Sequence, residues 1–351
     1  MAIAILVLAL LRSSPLMRRT RALRRHLAGR HAHFVATVAA DHFQRGNLHT
    51  HSTLSDGTAP LYAMVEWYRS HGYQFLAMTE HNLRIDSAEL DAFTAPGFVV
   101  IPGEEVTNGW GDKPLHVNAL CPLTTVRGGK VFEGAVRGLA VTLEDVRAAG
   151  GIPLVDHPNF HWTLTAAEIA RGASGRYLLE VWSGHPDVYP DGDAVHPSAE
   201  QIWDELLARD AEAIPVAVDD AHGLPDDPAG GDALPGRGWV ETFGEETSAS
   251  AICDALREGR LYASNGPSLV RIAVGGDTFV VATKDEGARV AFVGERGEVL
   301  AAMRAADAPA RDGVHEVTYR LSGGEIVVRA RVTDATGRSA WTAAYGVTGE
   351  H

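Results

Sequence analysis

The segment His49-Thr-His-Ser-Thr-Leu-Ser-Asp-Gly57 holds two histidines separated by one threonine, followed by a carboxylate and a glycine. Residues i and i+2 of a β-strand point to the same face, so a strand would place both imidazoles side by side. Asp56 and Gly57 are typical of a turn just beyond such a strand. The segment therefore predicts half of a metal site at the end of a strand.

Outward from this segment, short apolar strands alternate with amphipathic helices from about residue 45 to 265. Predicted strands that end in acidic or imidazole side chains are Gln74–Met78 before His81, Phe98–Ile101 before Glu105, Ile152–Val155 before His157, and Ile214–Val218 before Asp220 and His222. Helices are predicted over Thr58–His71, from Thr142, from Thr165 and over Ser198–Ala208. Repeated strand–helix units predict an α/β fold with a parallel sheet or barrel, in which sites lie at the carboxyl ends of the strands.

The last part of the chain has a different pattern. After about residue 266 the helical signals stop, and Gly324–Val332 alternates apolar residues with Arg329 and Arg331. Glycine-rich turns separate such segments, which predicts a small antiparallel β-sandwich. We therefore divide the chain into an N-terminal extension (1–44), an α/β unit (45–265) and a β-sandwich accessory domain (266–351) that is expected to act as a structural cap or oligomerisation module.

The composition limits the possible partners. The chain has 351 residues, of which 45% are hydrophobic and 22% charged, and its net charge is −14. An acidic protein is not expected to bind long nucleic acid or an anionic membrane stably. We expect a small-molecule or short nucleotide substrate, and the sequence does not indicate an oligomeric state.

Two local features bear on the cellular location. Residues 2–11 form an apolar run that is too short to span a bilayer. Seven arginines follow this run, up to Arg30, whereas an export signal carries its positive charge first. We expect a cytoplasmic protein, with export or membrane association through residues 1–30 as the alternative. Cys121 and Cys253 show no paired spacing, so both are expected to be buried thiols rather than a disulfide.

Nine side chains at or beside the predicted strand ends are candidate metal ligands, namely His49, His51, Asp56, His81, Glu105, His116, His157, Asp220 and His222. Mixed imidazole and carboxylate ligands suit Zn, Mn or Fe better than Ca or Mg. Two such metals about 3.5–4 Å apart lower the pKa of a bound water and hold a phosphoryl or acyl oxygen. The pattern therefore predicts a metal-dependent hydrolase.

The order of these motifs resembles that of the PHP (polymerase and histidinol phosphatase) superfamily. The motifs are HTHSTLSDG (49–57), TEHN (79–82), IPGEEVT (101–107), HVNAL (116–120), DHP (156–158) and DDAH (219–222). A looser similarity to the CehA/McbA-like metallohydrolase branch rests on YASNGPS (262–268) and VRARVTDATGRSAW (328–341). The resemblance implies a distorted (β/α)7 barrel that binds two to three divalent metal ions.

The resemblance also implies roles for individual residues. One metal would take His49, His51, Glu105 and Asp220; a second would share Glu105 and take His116 and His157; a third would take Asp56, His81 and His222. Glu105, Asp220, His222 and His81 are the candidate catalytic residues, with His222 or His81 as a general acid. Glu80 stands where many relatives have Asp, and it is expected to orient His81.

Candidate substrate contacts are Arg84, His161, His185 and Asn265, which follow predicted strand ends or lie in a loop that approaches the site. A plain surface role is an equally good interpretation of Arg84, and Trp162 can be simple packing.

Three functions fit the sequence. The first is a phosphoesterase that acts on a small phosphate ester, a nucleotide or a short oligonucleotide. The second is a carboxylic or carbamate ester hydrolase of the CehA type, and the third is a catalytically inactive PHP binding module. The full ligand set argues against the third, and the sequence does not decide between the first two.

Overall fold

A computed structural model describes residues 32–227 and 231–349. Its strands are β1 (Ala32–Phe34), β2 (Val38–Ala40), β3 (Phe43–Asn47), β4 (Phe75–Met78), β5 (Val99–Trp110), β6 (Lys113–Leu120), β7 (Val131–Phe132), β8 (Ile152–Val155), β9 (Tyr177–Ser183), β10 (Ala213–Val218), β11 (Trp239–Phe243), β12 (Leu261–Ser264), β13 (Arg271–Gly275), β14 (Thr278–Thr283), β15 (Arg289–Val293), β16 (Val299–Arg304), β17 (Ala310–Arg311), β18 (Val314–Arg320), β19 (Val327–Thr333), β20 (Ser339–Thr342) and β21 (Tyr345–Gly349).

The α-helices are α1 (Leu61–Ser70), α2 (Ser87–Leu90), α3 (Ala135–Ala148), α4 (Ala166–Gly172), α5 (Ala199–Leu207) and α6 (Ala249–Glu258). Short 3-10 helices span Asp91–Phe93, Phe160–Trp162, Glu295–Gly297 and Ala305–Asp307. No helix in the described part of the chain is both long and apolar enough to cross a bilayer. The predicted features of residues 1–30 lie outside the described residues.

The site is carried by a sheet in the order β11-β3-β4-β5-β6-β8-β9-β10. The pairs β3–β4, β4–β5, β8–β9 and β9–β10 are parallel, whereas β6 runs antiparallel to both β5 and β8. Just beyond β3 and β10, a single parallel bridge joins Thr50 to Ala221. The predicted mixed α/β fold with a parallel-rich sheet is confirmed, and closure into a (β/α)7 barrel stays a prediction.

Alternating side chains of the strands pack on opposite faces of this sheet. On β9, Leu178 belongs to an apolar cluster with Ile101 and Val216, whereas Leu179 belongs to a second cluster with Leu139 of α3 and Ile169 of α4. A strand that is buried on both faces reads as a continuous apolar run, which explains why these strands stand out in the sequence.

Most helix boundaries follow the sequence signals. Helices α4 and α5 begin with the expected capping boxes, Thr165 with Glu168 and Ser198 with Gln201. The prediction of a helix start at Thr142 is wrong, because α3 already begins at Ala135. The hydroxyl of Thr142 donates to the carbonyl of Gly138 one turn earlier, at 2.8 Å, so its hydrogen bond lies inside the helix rather than at a cap.

The C-terminal strands form two antiparallel sheets with a shared core. One sheet has the order β17-β18-β14-β13-β2, and the other contains β1-β21-β19-β20 with β15 and β16 beside β19. Val328, Ala330 and Val332 of β19 pack with Phe279 and Val281 of β14. The expected alternation is thus confirmed for Val328–Val332, whereas Ile326 precedes β19 and is 49% exposed, so its assignment to the apolar face is wrong. Strands β1 and β2, from residues 32–40, complete the two sheets and were not foreseen from the sequence.

The prediction that Cys121 and Cys253 remain free thiols is wrong, because the structure joins them in a disulfide. Cys121 follows β6 and Cys253 lies in α6, 132 residues later. A pairing between elements so far apart along the chain leaves no spacing motif in the sequence.

Candidate metal centre

The nine candidate ligands lie at one end of the sheet. His49 and His51 follow β3, His81 follows β4, and His157 follows β8. Glu105 and His116 lie within the long antiparallel pair β5–β6, and Asp220 and His222 follow β10. Asp56 lies in the turn before α1. Seven of these residues line a cavity of about 130 Å³ together with Phe160, His185 and Val188; they are Asp56, His81, Glu105, His116, His157, Asp220 and His222.

Four atoms at the floor of this pocket are arranged around a common centre. His49 Nε2 lies 3.3 Å from both Glu105 Oε2 and Asp220 Oδ1. His51 Nε2 lies 3.2 Å from Glu105 Oε2 and 3.3 Å from Asp220 Oδ1. Ligands about 2.0–2.1 Å from a tetrahedral metal are about 3.3–3.4 Å apart. The four side chains therefore have the separations that one metal ion requires.

The second oxygen of Glu105 faces a different pair of imidazoles. Glu105 Oε1 lies 2.7 Å from His116 Nδ1 and 3.5 Å from His157 Nε2. One carboxylate thus contributes an oxygen to each of two adjacent groups of donors. This is the arrangement of a bridging ligand in a two-metal site.

A third group of donors lies nearer to solvent. The carboxylate oxygens of Asp56 lie 3.3 Å from His81 Nε2 and 3.4 Å from His222 Nε2. His51 Nδ1 is 3.5 Å from the same carboxylate. The structure therefore brings all nine residues together, but the groups of donors overlap: His51 also faces Asp56, and His81 Nδ1 lies 3.0 Å from Glu105 Oε2. Their role as ligands, and their division among three ions, stay predictions.

Several of these donor atoms are buried without a hydrogen-bond partner among the described residues. They are His49 Nε2, His51 Nε2, Glu105 Oε1, His116 Nδ1 and Asp220 Oδ1. Buried polar atoms are nearly always satisfied, so a group of unsatisfied ones that converge on a point indicates a missing partner. Imidazole nitrogens and carboxylate oxygens together fit a divalent cation such as Zn, Mn or Fe.

The electrostatics of the pocket also favour a cation. Burial alone would lower the pKa of His49, but the carboxylates of Asp220, Glu105 and Glu180 outweigh it and raise that pKa well above its usual value. Burial alone would raise the pKa values of Glu105 and Asp220, yet the surrounding imidazoles hold both well below their usual range. The carboxylates thus stay ionised in a buried space, where a nearby positive charge offsets the cost of their burial.

The second nitrogen of several imidazoles is held by a protein group. His49 Nδ1 lies 2.7 Å from Glu180 Oε1, His81 Nδ1 lies 2.6 Å from Thr107 Oγ1, and His222 Nδ1 lies 3.0 Å from the carbonyl oxygen of Asp220. Such contacts fix the ring orientation and leave Nε2 available to the pocket.

The expectation that Glu80 orients His81 is wrong. Glu80 accepts hydrogen bonds from the hydroxyls of Ser52 and Ser55 and from the backbone N–H of Ser52. Its carboxylate therefore stabilises the turn that contains Asp56. Thr107, rather than Glu80, contacts the ring of His81. Three side chains that touch the ligands were not predicted from the sequence, namely Glu180, Thr107 and Phe160. A glutamate within the apolar run of β9 is the one signal that could have revealed Glu180.

The predicted substrate residues lie in different places. His185 lines the pocket, and its ring centroid is 5.2 Å from that of His222. Arg84 donates instead to the carbonyl of Pro122 and the hydroxyl of Ser87. Asn265 accepts from the backbone N–H of Ser339, at the junction with β20. His161 is exposed and packs its ring against Phe160.

Comparison with known proteins gives distant similarities. No family model matches the chain. A 5'-3' exoribonuclease of Haemophilus influenzae is 27% identical over 182 residues, which are 50% of this chain and 64% of that protein. The match therefore spans less than two thirds of that relative.

Three solved structures are similar at low sequence identity. A two-domain protein from Bacteroides vulgatus containing a predicted PHP-like metal-dependent phosphoesterase has a TM-score of 0.45 at 14% identity, over 91% of this chain and 89% of that one. A protein from Bifidobacterium adolescentis described as a metal-dependent phosphoesterase has a TM-score of 0.38 at 17% sequence identity, over 61% of this chain and 95% of that one. An amidohydrolase from Chromobacterium violaceum with bound sulfate has a TM-score of 0.39 at 16% sequence identity, over 62% of this chain and 96% of that one. Because these sequence identities and TM-scores are low, no function follows from the three structures.

Proposed function

We propose that this chain is a metal-dependent hydrolase of the PHP type, and that its reaction is the hydrolysis of a phosphate ester. The observation that carries the proposal is the bridging position of Glu105, whose two oxygens face two adjacent groups of imidazoles. The ordered motifs HTHSTLSDG, IPGEEVT and DDAH support the same assignment.

Each group of residues in the pocket would have a separate role. His49, His51, Glu105 and Asp220 would hold one divalent ion. Glu105, His116 and His157 would hold a second, and Asp56, His81 and His222 a third. Such ions would supply a water of lowered pKa and Lewis-acid stabilisation of a phosphoryl oxygen. Glu180 and Thr107 fix the rings of His49 and His81. Where the third ion is bound, it would stabilise the leaving oxygen; where it is absent, Nε2 of His222 would be free to give a proton to that oxygen.

The substrate class we propose is a small phosphate ester, a nucleotide or a short oligonucleotide. Similarity to a protein named an exoribonuclease supports a nucleotide. A net charge of −14 disfavours a long nucleic acid.

The experiment is metal analysis of the full chain together with hydrolysis of phosphomonoesters, phosphodiesters and carboxylic esters. We expect stoichiometric divalent metal and turnover of phosphate esters. His49→Ala and Asp220→Ala should each lose metal and activity and keep the circular dichroism spectrum, since both side chains serve the pocket rather than the apolar core. Turnover of carboxylic esters alone would replace the phosphoesterase by the CehA-type alternative. Full turnover in either variant at unchanged metal content would refute the metal-centre assignment.

The disulfide bears on the cellular location. Structural disulfides persist in oxidising compartments and are rare in the cytosol. We therefore propose that the protein works outside the reducing cytosol, which was the alternative from the sequence. Alkylation of thiols in intact cells before lysis tests this, and free Cys121 and Cys253 in most of the protein would contradict it.

A further inference from the structure

The metal pocket is small compared with ordinary ligand sites. Its volume is about 130 Å³, whereas pockets that enclose a whole ligand usually measure about 300–1,000 Å³. A substrate that places its phosphate in this pocket must therefore leave the rest of its structure at the rim. Phe160 and Val188 line the pocket, and the loops after β8 and β9 continue from these two residues.

Three aromatic side chains are stacked there. The ring centroids of Trp162 and His196 are 3.9 Å apart with an interplanar angle of 8°. Those of Trp162 and Tyr189 are 5.5 Å apart at 23°. Trp162 follows Phe160 by two positions, and Tyr189 follows Val188 directly. We call Trp162, Tyr189 and His196 the aromatic stack.

The backbone that carries the stack adopts conformations that bulky residues rarely take. Trp162 has φ 51° and Tyr189 has φ 52°, and His161 beside them has φ 50°. Positive φ at such residues persists only where the surroundings hold it, and it concentrates at functional sites.

Polar contacts hold both loops in place. The ammonium of Lys113 donates to the carbonyl of Trp162 at 2.7 Å. The buried amide of Asn159 donates to the carbonyls of Tyr189 and Pro197, each at 3.0 Å. One side chain thus ties the loop after β8 to the loop after β9. Tyr189 is nevertheless 52% exposed, so a large part of its surface is open to a ligand.

We propose that the aromatic stack is a substrate subsite that binds a planar aromatic ring attached to the phosphate ester. This inference rests on the proposed phosphoesterase function and names its substrate class. The flat, exposed ring of Tyr189 can stack on any planar ring system, and such stacking depends little on the substituents of that ring. A nucleobase and a simple aryl group share this chemistry, and the test below separates them.

The test compares three phosphate esters on the metal-loaded full chain: a nucleoside 5′-monophosphate, nitrophenyl phosphate and the ringless glycerol phosphate. Stacking on aromatic side chains gives about 5- to 150-fold in affinity. We expect Tyr189→Ala to raise KM for the ring-bearing esters by about that factor. It should leave kcat/KM for glycerol phosphate within about twofold, since stacking contributes nothing to a ringless ester. A larger loss on the nucleotide than on nitrophenyl phosphate identifies the ring as a nucleobase, and the reverse identifies an aryl group.

Two variants serve as controls. Tyr189→Phe keeps the ring and should behave as the parent protein. Tyr62→Ala removes another exposed tyrosine, on α1, that does not line the pocket, and it should change nothing. Equal losses for all three esters, or no loss for the ring-bearing ones, would overturn the subsite.

Equilibrium binding of adenosine and of nitrophenol separates failure of the subsite from failure of the proposed function. If no phosphate ester is hydrolysed but one of these ligands binds the parent protein and not Tyr189→Ala, the phosphoesterase proposal fails and the aromatic subsite stands. If esters are hydrolysed and neither ligand discriminates between the two proteins, the subsite fails alone.

Discussion

Glu180 Oε1 lies 2.7 Å from Nδ1 of His49, and both side chains are fully buried. The other oxygen of Glu180 accepts from the backbone N–H of His157 at 2.9 Å. One carboxylate from β9 therefore connects residues of two different groups of donors, without lining the pocket itself.

We expect Glu180→Gln to weaken metal binding by about 10–100-fold, because contacts that orient a ligand imidazole have effects of that size. Isothermal titration with Zn or Mn measures the affinity. Glu66→Gln, at an exposed position of α1, is the matched control. An unchanged affinity in Glu180→Gln would show that His49 needs no such support.

The metal-free protein should lose stability as the pH rises. Burial alone would lower the pKa of His51, but the close carboxylates of Asp220 and Glu105 outweigh it and raise that pKa to about 9. A raised pKa stabilises the folded state fully below the unfolded pKa of about 6.5, and this contribution is lost as the pH rises through about 9. The melting temperature of chelator-treated protein should therefore fall between about pH 6.5 and 9.

Metal binding should show the opposite trend over the same range. Ligand imidazoles must be deprotonated, so affinity should increase with pH until His51 has lost its proton. Melting curves with and without metal at several pH values test both statements. A metal-free melting temperature that rises over this window would contradict the assignment of the charges.

Reduction of the Cys121–Cys253 disulfide should destabilise the fold. The bond spans 132 residues, and closing a long loop restricts the unfolded chain, for an effect of about 2–5 kcal/mol. Urea unfolding with and without dithiothreitol measures it. The double variant Cys121→Ser/Cys253→Ser should be insensitive to the reductant. If the parent protein is equally insensitive, the two sulfurs are not bonded in solution.

A buried arginine connects the sandwich to α5. Arg329 is 1% exposed and donates to Asp204 at 2.9 and 3.0 Å and to Glu200 at 2.6 Å. Arg329→Ala would leave the buried carboxylate of Asp204 without its partner, which costs about 3–5 kcal/mol, whereas Glu200 keeps its contact with Arg331. Arg320→Ala, which removes an exposed pair with Asp277, should cost about 1 kcal/mol or less. Equal effects in urea unfolding would contradict this distinction.

The sequence was informative where function depends on local spacing. His49 and His51 alternate on one extended segment, and the other ligands end or border apolar runs, so position along the chain already indicates that they meet. The alternation also predicted that Arg329 and Arg331 lie on the face of β19 opposite Val328, Ala330 and Val332, and both arginines donate to Glu200 of α5.

The sequence was uninformative where a partner lies far away along the chain. Nothing near Arg329 reveals that α5 covers it, and nothing near Cys121 reveals α6. Glu80 was assigned to its neighbour His81, yet its hydroxyl partners Ser52 and Ser55 lie more than twenty positions earlier. Strands β1 and β2 were missed because three-residue strands leave too short a pattern to detect.

The pairing of β12 with β20 makes the strands of the α/β unit and one layer of the sandwich a single continuous sheet. A chain ended after residue 265 would leave β12 as an open edge, with Tyr262 and Ala263 deprived of their strand partner. Open apolar edges are templates for aggregation. Strand β20 covers this edge, so an excised α/β unit should assemble into oligomers through the edge that β20 normally occupies.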